Sequence, residues 1–510
     1  MLYATQYQPI DVRITSGCAF ENPFLAQLYG RFQDPEGKVY EVPGFYDGNG
    51  VFIIRACLPI PGRWTYTVQS ADIPDAHVSG EIDCRPNENP RIHGRLGIDA
   101  KNRRHFSYED GTDCFMMAYE CDWLWALGLG DEKAEKIREL ADIISSVGFN
   151  QVIVNVYAHD TAWAPGKSCE KDYGPPAMFA WEGSNEKPDH SRMNTAFFQN
   201  YDRMMRILLE RGIDAHIFLK VYNKEVNWPK KRSWQEALYL RYLAARYQGF
   251  PNVIWDFSKE AYYETDKDYI YDTLKSLRNL DAYKHLITLH DDRIFYNTPA
   301  HARVLDFETT QQHDELYASN LLIHKDRDWP VFNSEFGYEV GPGGKDSYLT
   351  WTGHTGEELV GRAWEVVMSG AYIAYYYDYT AWDIVDYSHT PGGYAHFKRL
   401  KAFMQTIPWK EFRPAPEICC WSGKRLCLLQ EGRRILVYAD KHVLLTEKLV
   451  EKKLKVQWMH TLTGETVEGN ESLLEASPHS SGLSFFKNPF GAAPAVLLIT
   501  IDNSFQALET

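Results

Sequence analysis

The pattern of apolar and polar residues changes twice along this chain, which predicts three kinds of segment. In residues 1–88, short strand-like runs such as 51–57 and 64–68 are separated by turn-forming pieces such as 47–50. Short runs with regular turn signals are typical of a sandwich of about a hundred residues. We therefore predict an immunoglobulin- or fibronectin-like β-sandwich over residues 1–88.

Strand-like and helix-like runs alternate through the middle of the chain. Residues 131–147, for example, carry apolar side chains at the spacing of one helix face. Eight strand-helix units in succession are typical of a (β/α)8 TIM barrel, which we predict over residues 89–408. The predicted strands are 115–119, 148–156, 212–219, 251–260, 286–290, 303–307, 330–335 and 370–376, with further helices at 200–211 and 234–247.

The last hundred residues return to strand-like runs. Residues 426–429, 434–438, 454–458 and 495–501 are short and apolar, and they predict a second β-sandwich over residues 409–510. The expected fold is therefore a multidomain α/β plus all-β protein, with a central barrel between two sandwich domains.

Two glutamates stand at the ends of two predicted barrel strands. Glu260 closes the fourth strand and Glu335 closes the seventh. The strands of such a barrel are parallel, so both carboxylates are expected at the C-terminal rim, where these barrels carry their chemistry. Two carboxylates that face a sugar are sufficient to break a glycosidic bond. The rival acids are Glu264, Glu308 and Glu339, of which Glu308, after the predicted sixth strand, is the strongest.

Polar and aromatic side chains follow most of the other predicted strands, where they would line a pocket. Each of them has an alternative interpretation as a solvated loop residue or as part of the core, and these alternatives stay open. The candidates for substrate binding are Asp122, Trp123, Asn155, His159, Lys220, Asn223, Lys259, His290 with Asp291, Gln311, His313, Trp351 and Trp382.

Composition narrows the class of partner. A net charge of −15 and a pI near 5.6 argue against nucleic acid and anionic membranes as partners. Aromatic residues make up 14% of the chain, and their flat faces suit stacking on sugar rings. No secretory signal or membrane span is expected, because no basic segment precedes an apolar run and no apolar run approaches roughly 18 residues. Nine cysteines without metal-ligand spacing predict reduced thiols in the cytoplasm.

Several motifs together resemble a known enzyme family. The segments 21–24, 32–38, 42–48 and 61–66 resemble the N-terminal sandwich of bacterial glycoside hydrolases, and 104–112 with the following barrel resembles the apiosidase-like group related to glycosidase clan A. The resemblance covers essentially the whole chain. It implies that Glu260 is the acid/base, that Glu335 is the nucleophile and that Trp382 is the aromatic platform under the sugar. Lys259 departs from the family, which usually has asparagine before the acid/base.

The resulting hypothesis is a retaining, exo-acting glycoside hydrolase that needs no metal or organic cofactor. Its expected partner is a short plant-type oligosaccharide or glycoside, and the sugar itself is not predicted. One alternative is a carbohydrate-binding protein that has lost catalysis, which only Lys259 favours. A metal-dependent hydrolase is disfavoured, because the first strand ends in 119–122, Tyr-Glu-Cys-Asp, without the paired histidines of a metal site. The two sandwiches either wall the barrel mouth or mediate contacts in a homo-oligomer.

Overall fold

The structure, a computed structural model, divides into two compact units. One unit consists of residues 1–98, 106–309 and 379–388, and the other of residues 99–105, 310–378 and 389–510. The residues that the structure describes are 1–161, 170–222, 224–291, 301–342, 353–421, 424–446, 449, 452–469, 473–474 and 483–502.

The N-terminal strands form two sheets around a common core. The larger sheet has the strand order β1-β8-β7-β3-β4 and the smaller one β2-β6-β5. Inward positions alternate with outward ones along β7, and Trp64 at one of the inward positions is fully buried. The strands are β1 (Leu2–Thr5), β2 (Pro9–Thr15), β3 (Tyr29–Gln33), β4 (Val39–Pro43), β5 (Phe45–Gly48), β6 (Val51–Cys57), β7 (Gly62–Gln69) and β8 (Val78–Arg85).

A parallel sheet closes on itself to form the barrel. Its strand order is β18-β17-β16-β13-β12-β24-β21-β20-β19, so the sheet begins and ends on the two pieces of the fifth strand. The predicted (β/α)8 barrel is thereby confirmed. The strands of this part of the chain are β9 (Leu96–Ile98), β10 (Phe106–Tyr108), β11 (Asp113–Cys114), β12 (Met117–Glu120), β13 (Gln151–Asn155), β14 (Trp181–Gly183), β15 (Pro188–Met193), β16 (Asp214–Phe218), β17 (Val253–Asp256), β18 (Ile287–Thr288), β19 (His290–Asp291), β20 (Glu308–Gln311), β21 (Val331–Glu335), β22 (Tyr338–Glu339), β23 (Gly353–His354) and β24 (Tyr372–Tyr375).

Several barrel helices begin at side-chain caps and pack through one apolar face. Asn194 and Ser233 accept hydrogen bonds from the first-turn amides of α2 and α3, and Thr355 forms a capping box at the start of α6. The predicted apolar face of α1 is buried. The helices are α1 (Glu135–Val147), α2 (Thr195–Glu210), α3 (Trp234–Tyr247), α4 (Lys267–Leu280), α5 (Leu316–Asp326), α6 (Gly356–Met368) and α7 (Gly393–Gln405).

The sixth barrel strand lies later in the chain than predicted. The apolar run 303–307 precedes the strand, which is Glu308–Gln311. All four residues of this polar strand are buried, and Oγ1 of Thr309 is 2.8 Å from Oγ1 of Thr288. A strand made of polar residues carries no apolar signal in the sequence, even where a barrel buries it. The prediction of strand 303–307 is therefore wrong, and Glu308 begins the strand instead of following it.

The C-terminal strands form two further sheets around their own core. The sheet orders are β25-β27-β28-β34-β30-β31 and β26-β29-β33-β32, and Trp458, Phe486 and Leu497 are fully buried between them. The strands are β25 (Arg413–Pro414), β26 (Cys419–Trp421), β27 (Leu426–Gln430), β28 (Arg434–Ala439), β29 (Val443–Leu445), β30 (Leu454–His460), β31 (Thr466–Glu468), β32 (Leu473–Leu474), β33 (Ser484–Phe486) and β34 (Ala495–Ile501).

None of the helices in the described part of the chain is long and apolar enough to cross a bilayer.

A buried ion-pair network joins the N-terminal strands to the barrel helices. Asp202 of α2 accepts hydrogen bonds from Arg55 of β6 at 2.9 Å and from Arg246 of α3 at 2.8 Å. Asp11 pairs with Arg55, and Asp47 pairs with Arg246. Burial works to raise the pKa of Asp202, but the two guanidinium groups hold that pKa below its ordinary value. The network therefore pairs two buried guanidinium groups with carboxylates that are largely shielded from water.

Replacing Asp202 by asparagine is expected to lower the free energy of unfolding by about 3–5 kcal/mol, because two buried guanidinium groups lose their shared counter-ion. Thermal unfolding of the whole chain measures this loss as a midpoint that is lower by several degrees. The control is Glu210→Gln, which breaks an ion pair at the surface. The side chain of Glu210 is 56% exposed and that of its partner Arg138 is 46% exposed. The control should cost less than about 1 kcal/mol. Equal shifts in the two variants would contradict the role given to Asp202.

Candidate active site

The loop after the fourth barrel strand holds Glu260 in an uncommon backbone conformation. β17 ends at Asp256, and Glu260 stands directly before a 3-10 turn, Ala261–Tyr263. Its φ of 57° and ψ of 50° are left-handed, which costs a residue other than glycine about 1–2 kcal/mol. Glu260 is also buried, with 9% exposure. Strain of this kind is concentrated at functional sites, so the conformation favours the predicted functional role.

The ammonium group of Lys259 is buried between two carboxyl groups. Its Nζ donates to Oε1 of Glu120 at 2.9 Å and to Oδ2 of Asp122 at 2.7 Å. Burial and the charge of Asp122 raise the pKa of Glu120 well above its ordinary value, against the opposing effect of Lys259. Burial and Asp122 therefore favour a proton on Glu120, and Lys259 opposes it. The sequence analysis did not single out Glu120, although the acidic run 119–122 contains the signal.

A second buried lysine lies against the predicted aromatic platform. Nζ of Lys224 is 5.6 Å from the ring centroid of Trp382, which is buried and has a φ of 57°. Burial and the charge of Lys259 lower the pKa of Lys224. The sequence analysis missed Lys224, because it placed its candidates at Lys220 and Asn223, and Asn223 lies outside the described residues. The carboxyl groups that oppose this lowering are Asp122, Glu260 and Glu120.

Polar atoms without partners collect at the ends of the first two strands. Asn155, the last residue of β13, is fully buried, and neither atom of its amide has a hydrogen-bond partner among the described residues. Within the same residues, Nε1 of the buried Trp123 also has none, and its ring stacks on that of Trp125 at 5.2 Å. Nδ1 of His159 lies 3.1 Å from the hydroxyl of Tyr157. Buried donors and acceptors of this kind are those that a sugar or an ordered water satisfies.

Lys220 points its ammonium group to the helices. Its Nζ contacts the carboxylate of Glu236 in α3 and the hydroxyl of Tyr269 in α4. Burial lowers the pKa of Lys220, although Glu236 opposes this. A role of Lys220 in substrate binding stays a prediction, and its contacts favour a structural role.

His290 occupies the end of the fifth strand. Its ring is fully buried and stacks on Phe218 at 5.3 Å. Its backbone amide donates to Oδ1 of Asp256, which also accepts from the amide of Ser258. Asp256 therefore fixes the ends of the fourth and fifth strands together. The strand β19, which contains His290, packs against the turn Ala261–Tyr263 that follows Glu260.

Glu335 is the last residue of the seventh strand and is held by a tyrosine. The hydroxyl of Tyr338 donates to Oε1 of Glu335 at 2.7 Å, and Nε2 of His313 is 3.8 Å from the same oxygen. The backbone amide of Glu335 donates to Oδ1 of Asn333 at 3.3 Å. A hydroxyl that donates to a carboxylate stabilises its ionised form. Tyr338 was not predicted, since its position depends on the turn at 336–337.

An arginine from the helix layer braces the segments on both sides of Glu335. Arg362 of α6 donates from Nε to the carbonyl oxygen of Phe336 at 2.7 Å, and its Nη2 donates to the carbonyl oxygen of His313. Gln311, the last residue of β20, precedes His313 by two residues and is also buried. The main-chain positions of the nucleophile candidate and of His313 are thus tied to the same side chain.

Two of the rival acids are engaged in structural contacts. Glu264 pairs with Lys231 and accepts from the hydroxyl of Tyr222 at 2.9 Å. Glu339 accepts from Tyr375 at 2.5 Å and from the amide of Gly393 at 3.0 Å, at the start of α7. These contacts favour Glu260 and Glu335 over the rivals. The third rival, Glu308, is buried within the sixth strand.

The described residues offer no cluster of metal ligands, and Trp351 is not among them. Within the described ranges, no group of three or more His, Cys, Asp or Glu side chains is arranged to hold a metal ion. Trp351 lies outside the described residues, so its predicted contact with substrate stays a prediction.

Two family models match the chain. Residues 100–413 match the apiosidase-like catalytic domain, and residues 3–71 match a domain of unknown function, DUF5060. Among curated proteins, no sequence matches this chain.

Solved structures share the fold at low sequence identity. A candidate glycoside hydrolase from Bacteroides vulgatus ATCC 8482 superposes with a TM-score of 0.79 at 18% identity, covering 98% of this chain and 100% of its own. A family 5 glycoside hydrolase from the same organism gives a TM-score of 0.57 at 16% identity, over 80% of this chain and 94% of its own. Because the first family model spans more than half of the 510 residues, the chain belongs to the apiosidase-like catalytic-domain family and is a glycoside hydrolase.

Proposed function

We propose that this glycoside hydrolase is a retaining, exo-acting enzyme that removes a terminal sugar from short plant-type oligosaccharides or glycosides. Glu335 is its nucleophile and Glu260 is its acid/base. The observation that carries the proposal is the buried carboxylate of Glu335 at the end of the seventh strand, which accepts from Tyr338 at 2.7 Å. A nucleophile must stay ionised, and a hydroxyl donor favours that state.

The role of Glu260 follows from its position and its surroundings. It follows the fourth strand, as the acid/base of related barrels does, and its strained backbone fixes its orientation. A carboxyl group that must be protonated near neutral pH requires low solvent exposure, and Glu260 is buried. The acids nearest to it in sequence have structural partners, which leaves Glu260 as the proton donor.

The proposed reaction has two displacements. In the first, a carboxylate oxygen of Glu335 attacks the anomeric carbon while the glycosidic C–O bond breaks, and Glu260 gives its proton to the leaving oxygen. In the second, Glu260 takes a proton from water, whose oxygen attacks the anomeric carbon and releases Glu335. Each displacement inverts the anomeric centre, so the product retains the configuration of the substrate.

Binding of the terminal sugar is assigned to the buried groups at the strand ends. The open amide of Asn155 both donates and accepts, which suits one sugar hydroxyl. Trp382 presents an indole near Lys224, and a flat ring supports the apolar face of a sugar. The residues proposed for this task are Asp122, Trp123, Asn155, His159, Lys220, Lys259, His290, Gln311, His313, Trp351 and Trp382.

The identity of the sugar is proposed only as a class. The family name points first to a terminal apiose, with arabinose, xylose, galactose and glucose as the other members of the panel to be tested. A cytoplasmic location, which would favour short imported glycosides, stays a prediction. Domain boundaries at 88 and 408 and assembly into a homo-oligomer also stay predictions.

The binding-protein alternative depended on Lys259. The cation at this position is neutralised by Asp122 at 2.7 Å, so it does not argue against proton transfer by Glu260. This leaves no observation that favours a protein without catalysis.

The anomeric configuration of the first product tests the double displacement. We expect NMR spectra recorded during the first minutes of hydrolysis to show the product with the configuration of the substrate, before mutarotation. An aryl glycoside from the panel with the highest kcat/KM serves as substrate. A first product of the opposite configuration would assign an inverting mechanism and remove Glu335 as nucleophile.

A further inference from the structure

A buried triad of charged side chains stands beside the proposed acid/base. Lys259 donates to Glu120 and to Asp122, and each of the three side chains is at most 1% exposed. Glu120 and Asp122 come from the end of the first strand, whereas Lys259 belongs to the loop after the fourth. The three residues therefore connect the base of the Glu260 loop to the first strand of the barrel.

The triad contains two acidic groups and only one basic group. Two carboxylates and one ammonium group, all ionised, would bury a net negative charge, which proteins avoid by binding a proton. Nζ of Lys259 contacts Oε1 of Glu120 and Oδ2 of Asp122, whereas Oε2 of Glu120 and Oδ1 of Asp122 have no hydrogen-bond partner among the described residues. A buried carboxyl oxygen without a donor favours protonation of one of the two groups. With that proton the triad is neutral.

We propose that Glu120, Asp122 and Lys259 form a positioning triad that shares one proton and cancels the charge of Lys259 beside Glu260. The inference rests on the proposed role of Glu260 as acid/base. It assigns a task to Glu120, whose Oε1 accepts from Lys259 at 2.9 Å. It also explains how lysine is compatible with proton donation where the family usually has asparagine.

The triad acts on Glu260 through the backbone and through charge. The amide of Lys259 donates to the carbonyl oxygen of Lys220 at 3.0 Å, and Lys259 pairs with Val221 in a parallel bridge. Lys259, the residue directly before Glu260, is therefore fixed through both its backbone and its ammonium group. An uncancelled cation at this place would favour the ionised form of Glu260 and remove the proton donor.

Other titratable groups of this unit face the same region and must be considered. Lys224 interacts electrostatically with Glu260 and with every member of the triad. His290 and Asp291 belong to β19, which packs against the turn after Glu260. None of these groups is changed in the experiment below, so their contribution is common to all variants.

Two variants differ in whether the triad keeps a carboxylate. The double variant Glu120→Gln with Asp122→Asn leaves Lys259 uncancelled, so the alkaline limb of the kcat/KM profile should move to lower pH by roughly 1 pH unit. Glu120→Gln alone mimics the protonated acid and leaves Asp122 to cancel Lys259, so the alkaline limb should not move. Equal displacement by both variants, or displacement by neither, would overturn the proposal.

A control distinguishes charge from loss of stability. Asp281 is another fully buried carboxylate, which accepts from His285 at 2.9 Å before the fifth strand begins. Asp281→Asn should lower the unfolding midpoint without moving the alkaline limb. A limb that moves as far in this variant as in the double variant Glu120→Gln with Asp122→Asn would assign the effect to general destabilisation.

An infrared measurement tests the shared proton without relying on activity. The difference spectrum between the native protein and Glu120→Gln at pH 7 should contain a carbonyl band of a protonated carboxyl group. Absence of that band would overturn the proposal. If Glu260→Ala kept the alkaline limb, the proposed acid/base would be wrong, and the infrared band would still decide whether the triad holds a proton.

Discussion

Replacing Glu335 by alanine is expected to lower kcat/KM by a factor on the order of 10⁴, equivalent to about 5.5 kcal/mol of transition-state stabilisation. The reason is that the first displacement has no attacking group once the carboxylate is removed. Added azide should restore turnover, because a small anion fits the space left by the carboxylate and attacks the anomeric carbon directly. The measurement is the initial rate with and without azide.

The configuration of the azide product makes this test specific. One displacement inverts the anomeric centre, so the Glu335→Ala variant should give a glycosyl azide of configuration opposite to the substrate. Glu339→Gln is the matched control, since Glu339 is a buried glutamate four residues away that caps α7. It should change kcat/KM by less than about tenfold. Retention of most of the native rate by Glu335→Ala would remove Glu335 as nucleophile.

Replacing Glu260 by alanine should produce a loss that depends on the leaving group. A glycoside with a poor leaving group needs the proton, so its kcat/KM should fall by about 10²- to 10⁴-fold. A glycoside of an acidic phenol leaves without protonation, and its loss should be about tenfold or less. The measurement is kcat/KM over a series of aryl glycosides, plotted against the pKa of the phenol.

With azide, Glu260→Ala should give a glycosyl azide of the anomeric configuration opposite to the one expected for Glu335→Ala. Azide attacks the glycosyl ester on Glu335 without needing a general base, so the glycosyl azide should have the configuration of the substrate. Glu264→Gln is the control, because Glu264 is engaged by Lys231 and Tyr222. Losses of the same size for all leaving groups would show that Glu260 is not the proton donor.

The fold was predictable because its elements repeat simple patterns. The strand at 51–57 and the helix at 234–247 have the predicted bounds, since one is a continuous run between turns and the other begins at a serine cap. Barrel strands such as β13 are buried on both faces and appear as unbroken apolar runs. The sixth strand was not predicted, because the residues of β20 are polar although the barrel buries them.

The site was only partly predictable, because the direction of a side chain after a strand depends on loop geometry. Lys220 and Lys224 lie four residues apart, yet the first contacts the helices and the second lies against Trp382. Nothing in the spacing of residues 220–224 distinguishes these two directions. Glu120 and Tyr338 were missed for a related reason, since each becomes relevant only through a partner distant in sequence or across a turn.

The network around Asp202 bears on how members of this family exchange their parts. Arg55 of the N-terminal strands pairs both with Asp11 in its own segment and with Asp202 on a barrel helix, so the two segments share the charges of one network. The hydroxyl of Tyr283, before the fifth barrel strand, likewise accepts a hydrogen bond from the amide of Cys57. A recombinant chimera that takes only one of these segments from a relative would inherit unmatched charges. Evolutionary shuffling of the N-terminal segment should therefore require compensating changes on α2 and α3, and the two segments should diverge together.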